Sequence, residues 1–176
     1  MKSVNVRSST ANALLLLMIA AALGAAILIQ RDRSTTVPAA LGENAVTQLR
    51  LEQALLRAKA LNKHLMVVFG GDWCEDCVVL KRNLETGETR DYFHQHFIVL
   101  NVEVDHSDRN LSVAKSLNAG VEQGVPAAVF FAPDGSRIGA TTRGELEPSR
   151  NYTPAQILEF LKAIVEQRSV VNPAGI

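Results

Sequence analysis

At 176 residues the chain has room for one domain of ordinary size and a leader, and not for two enzymatic domains. Hydrophobic residues make up 47% and charged residues 20%, which excludes a disordered or fibrous chain and requires a packed core. Eighteen basic residues balance eighteen acidic ones and no Lys/Arg run interleaves with aromatics, so the sequence argues against nucleic acid as a partner.

From Ala13 to Ile29 every residue is apolar or glycine, and Ala11 with Asn12 extends the stretch toward the about 20 residues that span a bilayer. Lys2 and Arg7 precede it, as suits a cytoplasmic N-terminus, while Arg31 and Arg33 beyond it reduce the charge asymmetry. The apolar core exceeds the about 7 to 15 residues of a secretory signal, although Val37, Pro38 and Ala39 offer a cleavage site. A buried core helix is disfavoured because nothing on the segment is polar enough to face solvent. The expectation is therefore a single-pass anchor over residues 1–30 in the inner (cytoplasmic) membrane, with the rest facing the periplasm. The alternative is a soluble periplasmic protein after signal cleavage. Residues 31–43 mix charges with Ser, Thr, Pro and Gly and read as a tether.

A domain over residues 44–168 follows. Between Asn44 and Leu61 apolar residues recur at helical spacing, with Val46, Leu49, Leu56 and Ala60 on one stripe and Leu51, Leu55 and Ala58 widening it. Leu65 to Phe69 is an unbroken apolar run, as in a strand covered on both faces, ended by Gly70 and Gly71. Cys74 to about Leu84 has helical character, a short helix is predicted from Glu88 to His94, and Phe97 to Val104 alternates like a strand. Ser107 or Asp108 is expected to cap a helix carrying Leu111, Ala114 and Leu117. Pro126 opens a strand over Ala127 to Phe131, and Asp134 with Gly135 supplies a hairpin turn. Thr153, Pro154 and Gln156 form a capping box for a helix burying Ile157, Leu161 and Ile164, with Leu158 and Val165 alongside. Residues 169–176 read as a disordered tail. The predicted class is α/β with a mixed four-stranded sheet, a parallel pair plus an antiparallel hairpin, flanked by helices.

The two cysteines, Cys74 and Cys77, stand where a buried strand turns into a helix. Unpaired amides and the helix dipole there favour a thiolate on Cys74, and such a position lowers a cysteine pKa from about 8.5 to as little as about 3.5 in extreme cases. Once Cys74 has formed a mixed disulfide, Cys77 can attack it and release the reduced product. A zinc site would need two more ligands, His94 and His96, at a spacing that suits a finger poorly. A structural staple closing so short a loop removes little chain entropy. His64 and His106 read as surface or packing residues. No bound cofactor and no metal are required by the dithiol chemistry.

From Phe69 to Cys77, then Gly124, Val125, Pro126 and the hairpin at Asp134 and Gly135, the chain resembles the thioredoxin superfamily over about residues 45–167. The extra short helix after the CxxC looks most like the membrane-tethered reductases and the C-terminal periplasmic domain of DsbD. The resemblance implies that Trp73 shields the site, Cys74 is the nucleophile, Cys77 resolves, and Pro126 is cis, with the Val125 backbone pairing to an extended substrate chain. Many members carry a buried acid six residues before the nucleophile, where this chain has Val68. Asp72, Glu75, Asp76 or a water is then left to take the Cys77 proton.

Better known members carry mostly uncharged pairs between the cysteines, and here Glu75 and Asp76 stand there. Like charge disfavours the thiolate and so stabilises the disulfide, which points to a reductant. The competing reading is that both acids simply suit a helix N-terminus. The expected partners are cysteine-containing extracytoplasmic proteins and a membrane electron donor. A dithiol oxidase and a non-catalytic binding module are the alternatives.

Overall fold

The structure is a computed structural model that describes residues 42–105, 109–167 and 173. The expected anchor, the tether up to residue 41, His106, the caps at Ser107 and Asp108 and, apart from residue 173, the tail lie outside the described residues. Among the described residues no helix is long and apolar enough to cross a membrane.

Helix α1 (Glu43–Leu61) leads into β1 (His64–Gly70), followed by α2 (Glu75–Leu84), α3 (Gly87–His96) and β2 (Phe97–Glu103). Then come α4 (Leu111–Ser116), β3 (Ala127–Phe131), β4 (Arg137–Ala140) and α5 (Pro154–Val165), with 3-10 turns at Val121–Gln123 and Ser149–Asn151. The sheet order is β2-β1-β3-β4, with β1 parallel to β2 and antiparallel to β3, and β3 antiparallel to β4. The sheet is thus the mixed four-stranded one that the sequence predicts.

Strand β1 lies at the centre because Leu65, Met66, Val67 and Phe69 leave neither face able to meet water. Leu65, Val67 and Phe69 pack with Val102, Val129, Ala58 and Val113 on the side of α1 and α4. Met66 points the other way, into Phe130, Phe160 and Leu161 beneath α5. A ladder of rings, Phe93 to Phe97 to Phe130 to Phe160, runs through that second layer with centroid spacings of 5.7, 6.4 and 5.9 Å. These are the separations at which aromatic pairs add to plain burial.

The capping box of α5 forms as predicted, with Thr153 Oγ1 accepting from Gln156 N and the Gln156 side chain accepting from Thr153 N. Phe160 and Ala163 join the expected buried residues. The hairpin turn is also as predicted: Gly135 takes a φ of +90°, and Asp134 accepts from Ser136 N at 2.8 Å.

Two readings are corrected: the buried face of α1, and the N-cap of α4, which is Asn110. Helix α1 buries Thr47 and Ala58, with Leu51, Ala54 and Leu55 half-buried against the core, while Leu49 and Leu56 are exposed. The stripe through Val46, Leu49, Leu56 and Ala60 was as apolar as the one used, and spacing alone could not choose between them. Thr47 wins because its hydroxyl donates to Asn110 Oδ1 at 2.8 Å. Asn110 in turn is the residue that stands at the N-cap of α4, with a left-handed φ of 55° and no capping bond. Its amide donates instead to Glu103 O, tying α1, the end of β2 and α4 together.

Candidate active site

Strand β1 delivers the site. Val104 N donates to Gly70 O at 2.9 Å, carrying the parallel ladder to the strand's last residue, and Cys74 N donates to Gly71 O at 3.0 Å to close the turn. Cys74 is the N-cap of α2, and Cys77 N donates to Cys74 Sγ at 3.1 Å. One of the helix's orphan amides therefore points at the sulfur, the arrangement that stabilises a thiolate. Cys74 and Cys77 are joined in a disulfide with Cα atoms 5.2 Å apart. Gly70 is required by proximity: a Cβ there would lie 2.5 Å from Cys77 Sγ.

The opposite wall is the loop before β3. The Val125–Pro126 peptide is cis, and Val125 O lies 3.4 Å from Cys74 Sγ. Gly124 before it has a φ of +117°, and the stem of Glu147 occupies the space a Cβ would need. Trp73 is half exposed; its indole lies over Gly71 and donates from Nε1 to Val104 O at 3.0 Å. On the side of Cys77 a groove of 410 Å³ opens between α2 and β2, walled by Val68, Val78, Lys81, Val99 and Asn101, with Asp72 at its edge. Val68, at the position where many members of the superfamily it resembles carry an acid, is paired with Asn101 across the ladder.

The two acids between the cysteines have a partner that sequence reasoning missed. Arg150 Nη2 lies 2.6 Å from Asp76 Oδ2, its Nε bonds both Asp76 oxygens, and its backbone N donates to Asp76 Oδ1 at 2.8 Å. Arg150 Nη1 reaches Glu75 Oε2 at 3.1 Å. The contact joins residues 74 apart in sequence, from a segment without apolar periodicity, so no local signal announced it. Asp76 is buried and Glu75 exposed. The Arg150 hydrogen bonds hold the Asp76 carboxyl below the usual carboxylate range, outweighing the burial that pushes it up. The stability this bond supplies is complete above the unfolded pKa of about 3.9 and disappears as pH falls through the lower folded value. Thermal melts should accordingly show the parent losing stability below about pH 4 more steeply than Asp76→Asn. Equal acid slopes would remove Asp76 from the account.

His94 Nε2 is 3.0 Å from Glu85 Oε2, and His64 stacks obliquely on Phe97, so these histidines pair and pack. Among the described residues no three His, Cys, Asp or Glu side chains gather as metal ligands.

Disulfide exchange needs one sulfur that can be attacked or attack and a second within reach of it, and a single helical turn supplies both here. On this sheet the pair gives the chain a thioredoxin fold whose two sulfurs are placed for thiol-disulfide exchange. The chain belongs to the Thioredoxin-like family, whose family model matches residues 45–133. A disulphide isomerase from Xylella fastidiosa Temecula1 shares its fold at a TM-score of 0.64 and 28% identity, over 74% of this chain and 99% of that one. Anterior gradient protein 3 of Mus musculus is 29% identical over 106 residues, 60% of this chain and 64% of that protein. The chain thus matches less than two thirds of that relative's length. A thioredoxin-fold protein from Helicobacter pylori is 23% identical over 60% of this chain and 70% of that one, with a TM-score of 0.44.

Proposed function

We propose that the protein is an extracytoplasmic reductase of protein disulfides, tethered by its N-terminal apolar segment and recharged by a membrane electron donor. In the cycle the Cys74 thiolate attacks a substrate disulfide, forming a mixed disulfide and expelling one substrate thiolate. Cys77 then attacks Cys74 Sγ, expelling the second substrate thiolate and closing the Cys74–Cys77 bond. Two electrons pass to the substrate, and the donor returns them by the same exchange in reverse. The Val125 backbone, beside Cys74, pairs with the extended substrate chain, and Trp73 borders it. The Cys77 proton leaves through the groove at Asp72 or to water, since Glu75 and Asp76 are engaged by Arg150.

The observation that carries the direction is the charge on the dipeptide between the two cysteines. Two carboxylates share the single guanidinium of Arg150, and the surplus negative charge disfavours the thiolate and stabilises the disulfide. A stable disulfide makes the dithiol a good electron donor.

The reduction potential tests this, measured on the full-length chain by equilibration with glutathione or dithiothreitol and thiol counting by mass. A value at or below about −230 mV is expected, in the thioredoxin to glutaredoxin range, and one near about −120 mV would make the protein an oxidant. Isomerisation is a second reading, supported by the likeness to the Xylella fastidiosa disulphide isomerase. It differs in product: a reductase leaves free substrate thiols, whereas an isomerase returns rearranged disulfides with no net electron transfer.

A further inference from the structure

We propose that Arg150 sets the redox equilibrium of the Cys74–Cys77 pair by cancelling part of the negative charge that Glu75 and Asp76, the dipeptide between the cysteines, bring to the start of α2. This rests on the reading that the pair cycles between dithiol and disulfide. It makes Arg150 a positioning residue, acting on the thiols through the carboxylates rather than by touching substrate.

The geometry is unusually committed for a side chain that is half exposed. Arg150 gives Asp76 three side-chain contacts of 2.6 to 3.2 Å and one backbone hydrogen bond, and Glu75 one more at 3.1 Å. A planar guanidinium meets a carboxylate with two parallel donors and fixes both position and orientation, which an ammonium cannot do. Asp76 is only 5% exposed, so water screens its charge less than that of the exposed Glu75.

Arg150 is also presented from a fixed platform. Thr141 Oγ1 accepts from Ala128 N at 2.7 Å at one end of the loop, and Asn83 Nδ2 donates to Tyr152 O at 2.9 Å at the other. Between them Leu146 is fully buried, and Tyr152 Oη donates to Glu145 O at 3.1 Å. The buried Glu145 carboxylate is taken by Arg143, with bonds of 3.1 Å to Nε and 3.0 Å to the backbone N. The same loop lays Glu147 over Gly124, next to the Val125–Pro126 wall. One loop therefore touches both halves of the site, and its cation lands on the dipeptide between the cysteines.

The sign of the effect follows from the charges. The disulfide is neutral, whereas the dithiol state carries the Cys74 thiolate, so only the dithiol state feels the nearby carboxylates. Removing the guanidinium strengthens their repulsion, raises the Cys74 pKa and shifts the equilibrium toward the disulfide. Solvent at Glu75 moderates the change to about threefold to thirtyfold in the equilibrium constant.

The test compares full-length parent, Arg150→Met, the pair Glu75→Gln/Asp76→Asn, and all three changes together. Each is equilibrated with dithiothreitol, and the Cys74 pKa is read from the pH dependence of alkylation by iodoacetamide. Arg150→Met is expected to move the equilibrium threefold to thirtyfold toward the disulfide and to raise the Cys74 pKa. In the amide background the same substitution should change it less than about twofold, because the charges it acted on are gone. A shift of equal size in both backgrounds, or none in either, overturns the proposal. If Arg150→Met does not fold, Arg150→Lys and Glu75→Gln replace it, both at exposed side chains. Lysine should fall on the disulfide side of the parent, and Glu75→Gln on the dithiol side. The opposite signs would overturn it. The parent's absolute equilibrium decides reductase against oxidant, and the differences between variants decide the role of Arg150, so either can fail alone.

Discussion

Replacing Cys74 with serine is expected to reduce disulfide exchange to the uncatalysed background, while Cys77→Ser should retain the first chemical step and stall after it. A serine hydroxyl at the N-cap would still accept from residue 77 N, so the helix end keeps its bond and the fold its stability. What is lost is the ionisable sulfur, the attacking species in exchange. Cys77→Ser leaves Cys74 free with no neighbour to displace a bound substrate, so a mixed disulfide should accumulate. Insulin reduction and intact mass of the trapped adduct check both. Adducts on Cys74→Ser and none on Cys77→Ser would reverse the roles of the two sulfurs.

The position of the two cysteines was legible from sequence because its causes are local. The run from Leu65 to Phe69, the two glycines and the CxxC specify a buried strand that ends at a helix N-terminus, and β1 and α2 are found there. The cis state of Pro126 was implied by the family resemblance and is found. The capping box at Thr153 is likewise a contact between residues three apart. Long-range features were not legible. The working face of α1 is chosen by Asn110, 63 residues away from Thr47, and the environment of Asp76 by Arg150, 74 residues away. Glu75 and Asp76 read in isolation as two uncompensated charges. With Arg150 in place they are a partly neutralised pair. The likeness to the DsbD domain was drawn from one short helix. That helix is present as α3, but ten residues of common composition do not define a subgroup.

Truncation of Phe130 to alanine is expected to cost about 3 to 5 kcal/mol, against less than about 0.5 kcal/mol for Leu56→Ala. Phe130 is 0% exposed and stands between Phe97 and Phe160, so removing its ring leaves a cavity walled by rigid aromatic neighbours. The position also has a bearing on chemistry. Phe130 pairs with Met66 in the register that holds β3 against β1, and β3 begins immediately after Pro126. A loosened β3 lets the Val125 wall move relative to Cys74, so exchange should weaken at temperatures where the variant is still folded. Leu56, by contrast, is 70% exposed, and alanine is the better helix former. Urea unfolding of the oxidised protein measures both variants. A Leu56→Ala loss above about 2 kcal/mol would mean that α1 packs on the stripe its spacing first suggested, with Thr47 and Ala58 turned away from the core.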